Sequence, residues 1–206
     1  MLPGYSQILT CPYCGKEKEI LSLLSGNTFG AELWSDNKCI YPMLPEISLI
    51  QKCPNCGKYY NRTKQEERHS VSSSTFECGT LSFPEMKEAF YQLSAEGFAD
   101  NKEESTIRLM LHHAYNDYYF RSDYNKPIPE DDKSLFRANG LWLIENVMKD
   151  IVLKAEYYRE LGDFETAQSL IENYKTDDDF IKPIIEGVKE SIANKDSRVF
   201  RIVLPE

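Results

Sequence analysis

The sequence has no long run of apolar residues. None of its stretches approaches the roughly 20 consecutive apolar residues that a membrane-spanning helix needs, so we expect no membrane span. The first residues, MLPGYSQILT, contain no basic segment and no long apolar segment, so they do not predict a signal peptide. We therefore expect a cytoplasmic protein. In that reducing compartment, paired cysteines serve as metal ligands or catalytic thiols more often than as disulfides.

An excess of positive charge is also missing. The chain of 206 residues carries 24 Lys and Arg against 33 Asp and Glu, which gives a formal net charge of −9. Residues 1–83 carry eight charges of each sign, whereas residues 84–206 carry sixteen basic and 25 acidic side chains. Because affinity for a phosphate backbone comes from Lys and Arg side chains, the charge distribution predicts that nucleic acid is not the partner.

Motifs of well-known catalytic sites are absent as well. There is no P-loop, G-x-G-x-x-G, G-x-S-x-G or H-E-x-x-H pattern. His112 and His113 are neighbours on a predicted helix, where adjacent side chains point about 100° apart and cannot chelate one ion together. His113 and Asp117 are four residues apart and share a helix face, so a hydrolase around His113 stays an alternative. A surface ion pair between these two side chains is the simpler interpretation.

What the sequence does have is a repeated cysteine motif. Residues 11–15 read CPYCG and residues 53–57 read CPNCG, and a lysine follows each. In a zinc knuckle, both thiolates of C-x-x-C face one ion, and the Gly after the second Cys permits the positive φ angle that completes the turn. Two knuckles supply the four thiolates of a tetrahedral structural site. We therefore predict one structural Zn²⁺ per chain, bound by Cys11, Cys14, Cys53 and Cys56.

The alternative is a thiol–disulfide redox site at Cys11 and Cys14, because CPYC is also the active-site motif of glutaredoxins. Such a site places its first Cys at the N-terminus of a helix that follows a strand. Gly15 would then lie in the first turns of that helix, where glycine is unfavourable. The chain after residue 25 does not continue the βαβ pattern of a thioredoxin-type fold, and one active site leaves the second motif unexplained. The metal interpretation is therefore favoured.

Residues 8–60 resemble zinc ribbons, in which each knuckle lies in the turn of a β-hairpin. Residues 47–51 and 58–60 are the strands expected around the second knuckle. Residues 28–34 and 39–42 flank the turn SDNK and predict a further hairpin between the knuckles. Two cysteines are left over: we expect Cys39, in a predicted strand, to be a buried thiol. A second metal site formed by Cys78 with His69 has no spacing rule in its favour.

The chain from residue 82 onwards has the apolar periodicity of helices. Ser82 and Glu85 form a capping box, and longer helices are predicted over about residues 103–121 and 134–161, the latter with a break near Asn139-Gly140. Two further helices follow. Residues 154–174 resemble one tetratricopeptide repeat, a pair of helices joined by a Gly-Asp-aromatic turn. The matching residues are Ala155, Tyr158, Gly162, Asp163, Phe164 and Ala167.

Together these features predict an α+β protein, with a zinc-ribbon module at residues 1–81 and an all-α, tetratricopeptide-like domain of helical hairpins at residues 82–206. This layout resembles that of small uncharacterised bacterial proteins. We expect a non-enzymatic adaptor, stabilised by zinc, whose helical surface binds a protein or peptide; a second copy of the chain is an alternative partner. The aromatic side chains expected to edge that surface are Tyr115, Tyr119 and Tyr157.

Overall fold

The computed structural model describes residues 2–66, 68–70, 79–121 and 126–203. It consists of short antiparallel strands, then helices, and a last short strand, which confirms the predicted α+β class. The strands are, in chain order, β1 (Leu2–Pro3), β2 (Gln7–Thr10), β3 (Glu17–Ile20), β4 (Leu23–Ser25), β5 (Glu32–Trp34), β6 (Cys39–Ile40), β7 (Ile50–Lys52), β8 (Tyr59–Asn61) and β9 (Arg201–Ile202).

The helices occupy most of the remaining chain. In order they are α1 (Phe83–Glu96), α2 (Asn101–Asn116), α3 (Glu130–Asn146), α4 (Ile151–Glu160), α5 (Phe164–Ile171) and α6 (Lys182–Ala193). A π-helical segment, Asp117–Arg121, extends α2. The predicted capping box of α1 is confirmed, because the backbone N–H of Ser82 donates to Glu85 Oε2 over 3.1 Å and the side chain of Ser82 faces the backbone of Glu85.

The chain divides into two compact units. The first contains Met1–Ala31 and Tyr41–Phe98, so it includes α1. The second contains Glu32–Ile40 and Ala99–Glu206, so it includes the β5–β6 hairpin. The sequence pattern predicts a single boundary after residue 81 instead, because a capped helix after an irregular stretch is typical of the start of a new domain. Whether residues 1–81 and 82–206 fold as separate modules stays a prediction.

The strands of the first unit form antiparallel pairs. The pairs are β1 with β4, β2 with β3, and β7 with β8. The last two are the hairpins expected at the knuckles: Thr10 lies opposite Glu17 in one, and Lys52 lies opposite Tyr59 in the other. Between these two hairpins lies a small core formed by Leu9, Cys11, Ile20, Cys53 and Tyr60. Both hairpins therefore bury the first cysteine of their knuckle in the same core.

The second unit combines a small sheet with helices. Its sheet has the strand order β6-β5-β9, and the predicted hairpin around the turn SDNK is confirmed as β5 and β6. Helices α4 and α5 are joined by a short turn and share a core with α6, as the tetratricopeptide resemblance implies for the helix pair. The buried members of that core are Val152, Ala155, Ala167, Ile171, Ile185, Val188 and Ile192.

The predicted helix break near Asn139-Gly140 is wrong. Gly140 lies inside α3, where a β-carbon would come within 2.8 Å of Leu161 Cδ2. Glycine therefore serves close packing at this position and does not end the helix. The helix ends at Asn146 instead. Helix α4 then begins after Asp150, whose carboxylate accepts a hydrogen bond from the N–H of Leu153 over 2.9 Å.

Among the described residues, no helix is both long enough and apolar enough to cross a membrane.

Candidate metal centre

Each CPxCG motif forms the turn of an antiparallel hairpin. Cys11 and Cys14 lie between β2 and β3, and Cys53 and Cys56 lie between β7 and β8. A strand, and not a helix, follows Cys14. The helix N-terminus that a glutaredoxin-like site requires is therefore replaced by a hairpin turn, and both motifs have the local structure that the zinc-ribbon resemblance implies.

The two turns have nearly the same backbone geometry. In the first, the N–H of Gly15 donates to the carbonyl oxygen of Cys11 over 2.9 Å. In the second, the N–H of Gly57 donates to the carbonyl oxygen of Cys53 over 2.9 Å. The φ angles of these glycines are 71° and 72°, in the left-handed region where side chains other than glycine are strained. This requirement explains why both motifs end in glycine.

The four sulfur atoms lie together. They are all within 4.8 Å of one another. Across the knuckles, Cys11 Sγ lies 3.6 Å from Cys56 Sγ, and Cys14 Sγ lies 3.6 Å from Cys53 Sγ. Tetrahedral zinc with Zn–S bonds of about 2.3 Å separates its ligand sulfurs by about 3.8 Å. The spacing therefore fits a metal ion bound by four thiolates, and thiolate ligands suit soft and borderline metals.

Backbone N–H groups point at these sulfurs. In both knuckles, the first cysteine accepts from the two residues at positions +2 and +3, and the second cysteine accepts from the lysine at +2. The N–H of Lys16, followed by the side-chain amide of Asn55, lowers the pKa of the Cys14 thiol to about 6. The N–H of Lys58 acts in the same direction on Cys56, but burial and the neighbouring thiols raise the pKa of Cys56 to about 12. Four adjacent thiolates therefore need a cation among them.

The centre is buried on one side and exposed on the other. Cys11 and Cys53 are each 1% exposed, whereas Cys14 and Cys56 are exposed. Four protein ligands fill a tetrahedral shell, so a metal bound by all four has no open position for substrate. The arrangement can cross-link the two hairpins.

Helix α1 packs against the second knuckle through Gln92. Its side-chain amide forms two hydrogen bonds with the backbone of Tyr59. The N–H of Tyr59 donates to Gln92 Oε1 over 3.0 Å, and Gln92 Nε2 donates to the carbonyl oxygen of Tyr59 over 2.9 Å. The hydroxyl of Tyr59 also donates to Glu88 over 2.8 Å. The sequence does not predict this contact, because Gln92 is not part of an apolar periodicity and Tyr59 is 33 residues away.

The three tyrosines expected at a partner surface are buried. Tyr115 is 3% exposed, Tyr119 is 8% exposed and Tyr157 is fully buried. Tyr115 stacks on Phe136 with ring centroids 3.9 Å apart, and the hydroxyl of Tyr119 donates to Asp132 over 2.6 Å. These side chains therefore have packing roles in the second unit. The sequence shows that these aromatic residues lie on helices, but it does not show which neighbouring side chains cover them.

His113 and Asp117 have separate partners. His113 Nε2 lies 3.2 Å from the backbone carbonyl oxygen of Asp36. The carboxylate of Asp117 pairs with Lys38 Nζ at 2.5 Å and with Arg121 Nη1 at 2.6 Å. The expected ion pair between His113 and Asp117 is therefore replaced by contacts with the β5–β6 turn and with the π-helical segment.

Of the two remaining cysteines, Cys39 does not join the centre. Cys39 is exposed on the edge strand β6, so the expectation that it is buried is wrong. A single strand pairing leaves one side of β6 open, which sequence alone does not reveal. Cys78, whose site with His69 has no spacing rule in its favour, lies outside the described residues.

Comparison with known proteins returned no similarity: the chain matches no family model, no curated protein and no solved structure. The candidate centre therefore stands on the residues themselves.

Proposed function

We propose that this protein is a non-enzymatic adaptor whose first unit is stabilised by one structural Zn²⁺. Cys11, Cys14, Cys53 and Cys56 are the proposed ligands. The observation that carries the proposal is the cluster of four sulfurs within 4.8 Å, contributed by two hairpins that bury a common core. A bound zinc ion supplies four strong bonds that join the two hairpins, whose ligands Cys14 and Cys53 are 39 residues apart in the chain.

The test is metal content. Protein purified without chelator under reducing conditions is expected to contain one zinc per chain by inductively coupled plasma mass spectrometry. One iron or copper per chain instead would keep the site and change the metal. Protein that carries no metal and forms a disulfide between Cys11 and Cys14 would contradict the proposal and favour the thiol redox alternative.

The proposed partner is a protein that inserts an apolar side chain into the second unit. A cavity of about 290 Å³ lies between the β5–β6 hairpin, α4 and α6. Most of its lining is apolar, contributed by Leu33, Val152, Leu153, Ile181, Ile184 and Ile202. Phe180, next to the lining residue Ile181, is 67% exposed. An exposed aromatic residue that adjoins in sequence the lining of a small apolar cavity supports a protein contact more than a cofactor site, because cofactor pockets are usually larger and more enclosed.

Site-specific photo-cross-linking tests this partner site. A photoreactive residue at Phe180 is expected to give a discrete cross-linked product in cells, whereas the same residue at the exposed position Glu145 of the same unit is not. The product should disappear when Ile184→Glu places a charge in the cavity. Equal cross-linking at both positions, or a product unaffected by Ile184→Glu, would contradict the proposed site. Light scattering of the purified protein gives its mass and so distinguishes a dimer of this chain from a complex with a different protein.

A further inference from the structure

The second unit contains a buried network of polar side chains. It joins the β5–β6 turn, α2, the π-helical segment and α4. We call it the buried network, and its members are Asp36, His112, Asn116, Arg121, Glu156, Arg159 and Glu160. Six of them are buried as whole residues, and the side chain of Arg121 is 5% exposed. Charges in such a place must be matched or neutralised.

Each arginine of the network already has a carboxylate partner. Arg121 pairs with Asp36 and with Asp117, the latter partly exposed and also paired with Lys38. Arg159 donates to both carboxylate oxygens of Glu156 over 2.7 and 2.5 Å. Glu160 is left without an arginine or lysine partner among the described residues.

The contacts of Glu160 are to neutral or weakly basic groups. Its Oε2 accepts from Asn116 Nδ2 over 2.9 Å and lies 2.9 Å from His112 Nε2. Its Oε1 has no hydrogen-bond partner among the described residues. The fully buried carboxylic groups Asp36, Glu156 and Glu160 thus outnumber the two arginines by one, so an ionised Glu160 would be an unmatched buried charge.

A positive charge on His112 would restore the balance, but full burial and the lack of an acceptor at one ring nitrogen oppose it. The imidazole is stacked between Phe136 and Tyr157, with ring centroids 4.6 and 4.2 Å away. An imidazolium needs acceptors at both nitrogens, and His112 Nδ1 has no partner in the part of the chain that the structure describes. The remaining way to neutralise the pair is a proton on Glu160.

We propose that the folded second unit holds a proton on the His112–Glu160 pair at neutral pH, on the Glu160 carboxyl, and that loss of this proton loosens the unit. In the unfolded chain Glu160 is exposed and ionised at neutral pH. Folding therefore takes up a proton, and the unit becomes less stable as the pH rises. The pair is a pH-sensitive device built from residues that the metal centre does not use.

The neighbouring groups define the pH range in which this device acts. Burial raises the pKa of Glu160 to about 8; the charge of Asp36 adds to this rise, whereas Arg159, Asn116 and Arg121 oppose it. Burial also raises the pKa of Glu156, although its bidentate pair with Arg159 opposes the shift. A raised carboxyl pKa gives stability that is complete below the unfolded pKa and is lost as the pH rises through the folded pKa. Both glutamates therefore reduce stability towards pH 8.

The other titratable groups that face the pair change their charge outside this pH range. Burial lowers the pKa values of His112 and His113 to about 4, so their contribution is present above the usual histidine pKa and is lost as the pH falls towards 4. Burial opposes ionisation of Asp36, but His113 and Arg121 lower its pKa to about 2. The pKa of Tyr157 is raised well above its usual value by burial. Between about pH 6.5 and 8.5 the two glutamates therefore dominate.

The test compares Glu160→Gln with Glu186→Gln, a matched change at an exposed glutamate on α6. Both tryptophans, Trp34 and Trp142, belong to the second unit, so their fluorescence reports its denaturant unfolding in the metal-loaded protein. From pH 6.5 to 8.5, the unfolding constant of the wild type and of Glu186→Gln should rise. In Glu160→Gln that rise should be smaller by about tenfold or more, because one proton fewer is released. The same rise in all three proteins would overturn the proposal.

A second measurement needs no variant to fold. Wild-type protein with ¹³C at the glutamate side-chain carboxyls is titrated by NMR in the folded state. At least one resonance, that of Glu160, is expected to titrate well above the usual glutamate pKa, with a midpoint near 8. If every glutamate titrates below about pH 6, Glu160 is ionised in the folded protein and the proposal fails.

Discussion

The four cysteines are equivalent in the sequence but not in the structure. Cys11 and Cys53 belong to the core of the first unit, while Cys14 and Cys56 face solvent. A buried ligand contributes packing as well as a metal bond, so its replacement changes two things at once. The exposed ligands are therefore better positions at which to test metal binding alone.

We expect Cys14→Ser to reduce the bound metal from about one ion per chain to a small fraction of that, because a serine hydroxyl does not replace a thiolate ligand. Cys39→Ser is the matched control, since Cys39 is also exposed but lies outside the cluster. Metal analysis after gel filtration measures both. Equal metal content in the two variants would mean that Cys14 is not a ligand.

The knuckle glycines permit a sharper test of backbone geometry. Gly15 has a φ angle of 71° and nothing within 4 Å of the place of a β-carbon, so Gly15→Ala adds backbone strain without a clash. The strain costs about 1–2 kcal/mol, and we expect the apparent zinc affinity to fall by about tenfold in a chelator competition. Gly15→Asn should lose less, because asparagine tolerates this conformation better. An alanine variant with wild-type affinity would show that the turn relaxes freely.

At the scale of elements, α1 is tied to the second knuckle by a side chain that replaces a strand partner. Gln92 offers one donor and one acceptor to the backbone of Tyr59, as a neighbouring strand would. Tyr59 is 3% exposed, so these backbone groups have little access to water. The contact joins α1 to the first unit, although the capping box at the start of this helix resembles the beginning of a new domain.

We expect Gln92→Ala to destabilise the first unit by about 1–3 kcal/mol, because it leaves the N–H and carbonyl groups of Tyr59 buried without partners. The amide hydrogen of Tyr59 should also exchange faster with solvent. Ser94→Ala, at an exposed position of the same helix, is the control and should change neither quantity. Hydrogen exchange with mass spectrometry measures the effect, and unchanged exchange at Tyr59 in Gln92→Ala would contradict the proposed role.

Local sequence patterns predict the secondary-structure elements. The features that the sequence did not predict depend on contacts between residues far apart in the chain. The paired CPxCG motifs, the capping box of α1 and the β5–β6 hairpin depend on residues within a few positions of each other. The burial of Tyr115 depends on Phe136, and the fit of Gly140 in α3 depends on Leu161. The buried network likewise joins Asp36 to residues about 80 positions away. Periodicity reports that a helix has an apolar face without identifying what covers it.

At the scale of the whole molecule, the two compact units differ in what stabilises them. The first has a small core around the cysteines, and small domains of this kind commonly need a metal or disulfides to fold. The second has a larger apolar core shared by α4, α5 and α6, and no metal-ligand cluster is found among its described residues. Removal of metal should therefore affect the units unequally.

We expect a strong chelator under reducing conditions to abolish hydrogen-exchange protection in the described part of the first unit, residues 2–31, 41–66, 68–70 and 79–98, including α1, because metal binding by a small ribbon is coupled to its folding. Residues 99–121 and 126–203 should keep their protection, and the fluorescence of Trp34 and Trp142 should stay unchanged. Added zinc should restore the first unit. Protection that persists in α1 would place the boundary after residue 81, as the sequence pattern predicts. Loss of protection in both units at the same chelator concentration would mean that they unfold as one cooperative structure.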